Sequence, residues 1–210
     1  MPDRAATEDR RFADAMTDLD RLRETILDEL VRAAASSKSG WHLPMVATGG
    51  TQPHNRTVVL RNVDRDAAAI AFHTDARSPK ATQLRVSPHA SWCFYDREHR
   101  VQLVADGVAS VHTEDAVADA GWERSSASSR RCYLAPAAPG DVMEQPQANL
   151  PERWIGVVPP IEATEPGRAH FAVVRMPIAR LDFLYLSHEG NLRAEFVRDG
   201  DGFAGSWIAA

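Results

Sequence analysis

Residues 70–84 read IAFHTDARSPKATQL, and a predicted strand changes into a predicted helix within them. The apolar start is typical of a β-strand. Ser78 followed by Pro79 is typical of a helix start, because serine caps free backbone N–H groups and proline fits the first turn. Turn chemistry requires neither Arg77 nor Lys80. Two hydroxyls, on Thr74 and Ser78, and two cations lie just past a strand end at the start of a helix, which indicates a site for an anion.

A basic strand precedes this stretch and completes the predicted site. RTVVLR spans residues 56–61 and is followed by the turn NVDRDA, so we expect it to pair as a hairpin with the strand before Thr74. Pairing would bring Arg56 close to Ser78 and Lys80. Arginine offers a bidentate fork, lysine a point charge, and hydroxyls fill the remaining acceptor positions of a phosphate monoester. Taken singly, each residue is more often an ordinary surface charge or helix start, so only the ordered combination is specific.

The composition limits the class of protein. Hydrophobic residues make up 44% of the 210, and 24 Lys and Arg against 29 Asp and Glu give a net charge of −5. The first value suits a folded core, and the second argues against general nucleic-acid binding. No run approaches the roughly 18 apolar residues of a membrane span, and the charged N-terminus lacks the apolar core of a secretory signal. We therefore expect a cytoplasmic protein with neither a membrane nor a nucleic-acid partner.

The histidines and cysteines predict no metal site. Two cysteines, Cys93 and Cys132, are too few for a disulfide framework or a zinc motif, and Cys93 lies in an apolar run typical of a buried thiol. His89, His99 and His112 lie on different predicted strands without ligand spacing. The sequence contains neither G-x-S-x-G nor G-x-G-x-x-G, so it indicates neither a hydrolase nucleophile nor a dinucleotide fold.

Apolar periodicity predicts a helix followed by many strands. Residues 1–16 are polar and predicted to be frayed, and residues 17–35 have helical spacing with Thr17 and Asp20 as a capping box. Further helices are predicted over 78–86, over 114–125 and, within a proline-rich loop at 135–170, near 149–155. Runs rich in Val, Ile and aromatic residues between turn signals predict strands at 41–48, 56–63, 68–74, 90–96, 101–112, 171–178, 181–186, 192–198 and 202–209.

The order of these elements predicts the fold class. Many short, sequential strands with few helices favour a mainly β, antiparallel barrel with flanking helices and an N-terminal helix, in one domain over residues 17–210. Gly107 interrupts the strand predicted at 101–112, which indicates a bulge or a sharp bend.

In this order the motifs resemble the pyridoxamine 5′-phosphate oxidase-like, FMN-binding split-barrel family. The family pattern is Arg-x-Val-Leu-x-Lys/Arg, then aromatic-x-Thr, then Ser-x-Lys before a Gln-Leu helix. Here these elements are RTVVLR, FHT, SPK and TQL, followed by SPHASWCFY and HRVQLVADG. The resemblance covers about residues 40–210 and is strongest over 56–107. It implies an antiparallel split barrel with Greek-key connections.

The resemblance also implies the cofactor, its contacts and the assembly. The phosphate of FMN would lie against Arg56, Ser78 and Lys80, the backbone of residues 58–60 beside the flavin ring, and Gln102 at its polar edge. Family members bind one flavin per subunit at a homodimer interface. The full set of implied FMN contacts is Arg56, Thr57, Val58, Val59, Leu60, Arg61, His73, Thr74, Ser78, Lys80 and Gln102.

The chain departs from the vitamin-making oxidase at the substrate positions. Pro79 replaces an arginine and His73 replaces a tyrosine. At the C-terminal end, the Arg-x-His pair is reduced to Arg193 with Glu195 after it. The oxidase's tyrosine and arginine on the middle helix have no clear counterparts. Trp122, Arg130 and Arg131 lie there at a different spacing, as in a bacterial subgroup that lacks the full pyridoxamine phosphate site.

Three functions follow as hypotheses. The first is an FMN-dependent oxidoreductase that transfers a hydride between flavin N5 and an unidentified small molecule, with Arg193 and Trp122 as substrate contacts and no catalytic acid or base assigned. The second is a protein that stores or senses FMN without turnover, and the third is a pyridoxamine 5′-phosphate oxidase. A barrel whose site binds another ligand, such as a deazaflavin or a haem, or binds no ligand, is also open.

Overall fold

The helices and strands frame a curled antiparallel sheet. A computed structural model of the chain describes residues 11–49 and 52–210. Its α-helices are α1 (Arg11–Ala15), α2 (Leu19–Ala35), α3 (Pro79–Val86), α4 (Ala116–Glu123) and α5 (Ala127–Arg130), and 3-10 helices span Arg131–Leu134, Glu152–Trp154 and Ile161–His170. Its strands are β1 (Met45–Thr48), β2 (His54–Thr57), β3 (Asn62–Asp64), β4 (Ala69–Asp75), β5 (His89–Asp96), β6 (Val101–Val108), β7 (Ser110–His112), β8 (Phe171–Tyr185), β9 (Leu192–Asp199) and β10 (Gly202–Ile208).

The long strand β8 joins two parts of the sheet. Its first half pairs with β4 and β7, and its second half pairs with β6 and β9. The main path runs β10-β9-β8-β6-β5-β1-β2, and β3 pairs with β4 at the other edge. This arrangement curls the sheet into a half-barrel with flanking helices, so the predicted mainly β, antiparallel split-barrel class is confirmed.

A bulge at Gly107 allows the curl. The register between β6 and β8 shifts between Asp106 and Gly107, as the sequence predicts. A Cβ atom on Gly107 would lie 2.3 Å from the carbonyl oxygen of Pro177, far inside contact distance. Only glycine lets the two backbones approach this closely where the barrel bends.

Aromatic and aliphatic side chains fill the inner face of the half-barrel. Trp41, Trp92, Phe72 and Phe183 are each at most 1% exposed. Helix α2 closes the barrel with its apolar stripe, and each fully buried large side chain contributes about 1.5–3 kcal/mol to folding. A smaller cluster beneath α4 holds Ala71, Trp122, Tyr133, Phe171 and Val173.

Three sequence-based boundaries are corrected. Residues 11–15 form α1 and bury Phe12 in the core, so the predicted frayed segment does not extend over them, and residues 1–10 lie outside the described residues. Asp18, rather than Thr17, caps α2 by accepting a hydrogen bond from the backbone N–H of Arg21. The strands predicted at 171–178 and 181–186 are one strand, because pairing with β4 and then β6 continues through the intervening residues.

Within the described residues, no helix is long and apolar enough to cross a membrane. The same part of the chain contains no group of three or more His, Cys, Asp or Glu residues that could hold a metal ion.

Candidate functional site

The structure brings the predicted phosphate ligands together by a different route from the predicted hairpin. Strand β2 pairs with β1 rather than β4, and the short hairpin is formed by β3 and β4. Arg56 reaches the site across β1, donating to Oγ1 of Thr48 at 2.6 Å and to Oε1 of Gln83 at 3.0 Å. Gln83 lies on α3, so these bonds aim Arg56 at the helix whose N-terminus carries Lys80.

Two buried hydroxyls lie beside the second cation. Nζ of Lys80 donates to Oγ1 of Thr74 at 3.2 Å, and the hydroxyls of Thr74 and Ser78 are 3.1 Å apart. Ser78 is 0% exposed and stands at the N-cap of α3, yet its side chain makes no capping bond. We call Arg56, Thr74, Ser78 and Lys80 the phosphate cluster.

The phosphate cluster lacks a negative charge. Burial first, and the nearby Arg56 second, lower the pKa of Lys80. Burial also lowers the pKa of Arg56. Within the described residues, neither cation has a carboxylate at ion-pair distance. Since two like charges are held half-buried beside hydroxyls that can donate to an anion, the cluster suits a phosphate dianion, which would neutralise both.

Arg77, the other cation of the opening stretch, is not part of this cluster. Its guanidinium binds both carboxylate oxygens of Asp75, at 3.0 and 2.7 Å, and donates to the carbonyl oxygen of Ala135. The Asp75 carboxylate is therefore paired with Arg77, and its charge raises the pKa of Lys80 by less than burial and Arg56 lower it.

The segment between β2 and β3 forms one wall of the site. The backbone N–H of Val58 donates to Pro44 and that of Leu60 to His42, which fixes the segment against the chain before β1. The side chains of Val58 and Leu60 are buried, that of Val59 is partly buried, and those of Thr57 and Arg61 are exposed. Residues 57–61 are those predicted to contact the flavin, and Arg61, at the end of the segment, lines a pocket together with His73.

A second basic pocket lies where this segment meets the middle helices. It has a volume of about 290 Å³, and Arg61 and Arg124 bring two guanidiniums to it. Neither arginine has a carboxylate within ion-pair distance in the described part of the chain. We call this the anion pocket; its lining also includes Asn62, His73, Ser125, Ser126 and Ser129. Sequence reasoning missed Arg124 and Asn62, because they are brought there by segments far apart in the chain.

His73 lies in the anion pocket rather than in the phosphate cluster. Successive side chains of a strand point to opposite faces of the sheet, so the neighbouring residues His73 and Thr74 on β4 lie on opposite faces. Nδ1 of His73 is 3.4 Å from the hydroxyl of Ser125. Burial, followed by the positive charges of Arg61 and Arg124, lowers the pKa of His73 from 6.5 to about 4. The imidazole is therefore neutral at pH 7.

His73 should make folding stability depend on pH between 6.5 and about 4. Its pKa is lower in the folded than in the unfolded chain, so as pH falls through this window the unfolded state takes up the proton first and the folded state loses stability. We expect a loss of up to about 3 kcal/mol. Urea unfolding of the wild type and of His73→Gln at pH 7, 5.5 and 4.5 measures it. Between pH 7 and pH 4.5, His73→Gln should lose less of its free energy of unfolding than the wild type. The exposed His188→Gln is the control and should follow the wild type. The same dependence of this free energy on pH in His73→Gln and in the wild type would contradict the prediction.

The predicted substrate contacts lie elsewhere in the single chain. Trp122 is buried at 4% exposure, and its indole N–H donates to Glu165, so it belongs to the cluster beneath α4. Both carboxylate oxygens of Asp182 accept hydrogen bonds from Arg193, at 2.8 and 2.7 Å. Gln102 lies beside Tyr95 on the face of the long sheet that points away from the barrel interior, which we call its outer face. This position is apart from the phosphate cluster.

The two arginines of the middle helix are also occupied. Arg130 pairs with Glu165 at 2.8 Å and stacks on the Trp122 ring at 4.5 Å. Arg131 donates to the carbonyl oxygen of Val157 at 2.8 Å. Neither lines the anion pocket.

Part of the chain is similar to known proteins. Residues 22–113 match the family model described as the FMN-binding domain of pyridoxamine 5′-phosphate oxidase. The chain is 32% identical over 131 residues to the pyridoxine/pyridoxamine 5′-phosphate oxidase of Hyphomonas neptunium, covering 59% of this chain and 58% of that protein. It is 29% identical over 105 residues to pyridoxine/pyridoxamine 5′-phosphate oxidase 2 of Arabidopsis thaliana, covering 47% and 52%. The chain thus spans little more than half the length of the curated relatives it matches.

Solved structures share the fold. A pyridoxamine 5′-phosphate oxidase-related, FMN-binding protein from Nostoc punctiforme superposes with a TM-score of 0.67 at 23% identity, covering 90% of this chain and 96% of that one. PhzG from Burkholderia lata, in complex with tetrahydrophenazine-1-carboxylic acid, superposes with a TM-score of 0.66 at 17% identity, covering 90% and 92%. The family model agrees with the resemblance seen in the sequence: residues 22–113 match the FMN-binding domain of the pyridoxamine 5′-phosphate oxidase family, which indicates FMN as the cofactor.

Proposed function

We propose that this protein is an FMN-dependent oxidoreductase acting on a small organic anion. The observation that carries the proposal is the phosphate cluster, in which two half-buried cations and two buried hydroxyls converge without a carboxylate. Arg56 and Lys80 would hold the 5′-phosphate, and Thr74 and Ser78 would orient it. The bound flavin would supply hydride transfer at its N5.

The anion pocket supports the substrate part of the proposal. It adjoins the segment 57–61 that would run beside the flavin ring, and Arg61 belongs to both. Two guanidiniums without carboxylate partners favour a negatively charged substrate group. Neutral His73 lines the same pocket and adds no charge of its own at pH 7.

The storage or sensing alternative makes a different prediction for the anion pocket. A protein that only holds FMN needs the phosphate cluster but not Arg124. The test mixes a panel of small organic anions, without oxygen, with either the reduced or the oxidised FMN-loaded protein; stopped-flow absorbance follows reoxidation of the first and reduction of the second. Turnover requires at least one anion whose rate exceeds that with free FMN and falls in Arg124→Gln. Rates equal to those of free FMN for every compound would favour storage.

We also propose a homodimer that uses the outer face of the long sheet. The strand registers place Met45, Tyr95, Val108 and Val197 on this face, where they are 51%, 50%, 53% and 46% exposed. These exposed apolar side chains favour a partner, beside the ion pairs of Arg180 and Arg193 with Asp182 on the same face, and two-fold pairing is the commonest assembly. Gln102 lies on the same face, so it would reach the flavin of a partner subunit.

Light scattering should therefore give a mass near twice 23.1 kDa at micromolar concentration. Val108→Arg places a charge on the proposed interface and should shift the mass towards one chain. Val142→Arg, at a position 98% exposed in a loop, is the matched control and should leave the mass unchanged. A mass of one chain for the wild type would refute the dimer.

A further inference from the structure

The guanidinium of Arg56 is held by two side chains outside the phosphate cluster. Thr48 ends β1 and is 1% exposed, and Gln83 lies on α3. The hydroxyl of Thr48 accepts a hydrogen bond from Nη1 of Arg56 at 2.6 Å, and Oε1 of Gln83 accepts one from Nη2 at 3.0 Å. The same hydroxyl donates to Oε1 of Gln83 at 2.7 Å. The three side chains therefore form a closed set of hydrogen bonds, which we call the Arg56 triangle.

The Arg56 triangle fixes the direction of the guanidinium and leaves part of it open. A guanidinium has five N–H donors. Two of them point at Thr48 and Gln83, and a third makes a longer bond of 3.4 Å to the carbonyl oxygen of Val46. Within the described residues, the other two donors have no hydrogen-bond partner. An arginine held in this way has lost its rotational freedom before a ligand arrives, and such preorganisation favours binding.

Both acceptors of the Arg56 triangle are uncharged, unlike those that hold other arginines of the chain. Arg77 is held by the carboxylate of Asp75, and Arg193 by that of Asp182, so the charge of each is neutralised within the protein. A hydroxyl and an amide oxygen hold Arg56 without cancelling its charge. The positive charge of Arg56 therefore stays available to an anion.

Gln83 also brings this charge close to the second cation of the phosphate cluster. Lys80 and Gln83 are three residues apart on α3, so their side chains share one face of the helix. Arg56 is near enough to Lys80 to lower the pKa of the lysine. An amide on α3 therefore draws an arginine of β2 towards the lysine of the same helix.

We propose that Gln83 and Thr48 are positioning residues for the phosphate of FMN, which hold the guanidinium of Arg56 towards Lys80 and so determine how strongly the protein prefers FMN to riboflavin. Riboflavin has the same ring and ribityl chain without the phosphate. The inference rests on the proposed role of the phosphate cluster. An uncharged acceptor at position 83 is decisive, because a carboxylate there would occupy the guanidinium in place of the phosphate.

The first test changes the charge and the acceptor at position 83. Quenching of flavin fluorescence on titration with apoprotein gives dissociation constants for FMN and riboflavin. Gln83→Glu should weaken FMN binding by about tenfold to a hundredfold, and Gln83→Met, which removes the acceptor, by about threefold to tenfold. Riboflavin binding should change by less than about twofold in both. Thr82→Glu is the matched control, because it adds the same charge at an exposed position of the same helix, and it should change FMN binding by less than about threefold.

Thr48 allows a matched pair of variants. Thr48→Ser keeps the hydroxyl and should bind FMN within about twofold of the wild type. Thr48→Val keeps the shape but loses the hydroxyl, so it should weaken FMN binding by about threefold to tenfold. Both should bind riboflavin as the wild type does. A role in packing alone predicts the reverse order, because valine fills this buried position better than serine.

A double-mutant cycle shows whether Gln83 acts through Arg56. In the Arg56→Ala background, Gln83→Met should change FMN affinity by less than about twofold, because no guanidinium remains to be positioned. An equal loss in both backgrounds would overturn the positioning role, and so would a wild-type preference for FMN in Gln83→Glu and Thr48→Val. Equal affinity of the wild type for FMN and riboflavin would overturn the phosphate cluster, and the positioning role with it. A variant at position 83 that fails to fold is recognised by its far-UV circular dichroism spectrum, and the Thr48 pair then decides.

Discussion

Arg56→Ala and Lys80→Ala should each raise the dissociation constant for FMN by about tenfold to a hundredfold. Each change removes a charge-assisted hydrogen bond to the phosphate, which contributes about 1.5–3 kcal/mol. The effect should lie towards the upper end for Lys80, because burial and then Arg56 lower its pKa, and a bound phosphate would oppose both effects. Since the two cations are neighbours, the double variant should lose less than the sum. Fluorescence quenching of FMN on titration with apoprotein measures these constants.

Riboflavin is the control ligand for this prediction, because it lacks the phosphate. It should bind weakly to the wild type and respond little to either change. Arg85→Ala is the matched control variant, since it removes an exposed arginine from the last turn of the same helix. Equal affinity of the wild type for riboflavin and FMN would show that the phosphate cluster has another role.

Oxidation of pyridoxine 5′-phosphate should be slow, with a specificity constant below about 10⁴ M⁻¹s⁻¹, the lower end of typical enzymes. The phosphate itself can be bound, because Arg61 and Arg124 face the anion pocket. The pyridine ring of this substrate, in contrast, lacks side chains to orient it among the described residues. Arg193, the C-terminal cation that could orient it, is engaged with Asp182. The adjoining cavity between α4 and the sheet is lined mainly by apolar residues, with Asn62 and His73 as its uncharged polar side chains, so it offers few hydrogen-bond partners to the ring's hydroxyl groups.

The expected deficit is large because orienting contacts are lost together. Each missing charge-assisted contact costs about 1.5–3 kcal/mol, or roughly ten- to a hundredfold in rate. Steady-state oxidation by the FMN-loaded protein gives the specificity constant. Calorimetry on the same sample separates binding from turnover, and binding without turnover is the expected pattern. A specificity constant at or above about 10⁴ M⁻¹s⁻¹ would contradict the prediction and would make the vitamin-making activity the better assignment.

Local chemistry made much of the fold and the cofactor predictable from the sequence. The change from strand to helix between Phe72 and Lys80 follows from β-propensity, a serine cap and a proline in the first turn, which involve near neighbours only. The bulge at Gly107 was readable for the same reason, because a glycine within a strand pattern is a local signal. The family motifs are likewise short contiguous stretches, so they indicate FMN without any knowledge of which strands pair.

Tertiary structure alone decided what lies around those local elements. Arg56 reaches the phosphate cluster through Thr48 and Gln83, not through the hairpin expected for it, because long-range strand pairing places β2 against β1. Arg124 enters the anion pocket only when α4 packs on the outer face of β4 and β8. Sequence spacing carries no information about such contacts, because they depend on which apolar faces pack together. The same packing buries Trp122 in the small core beneath α4.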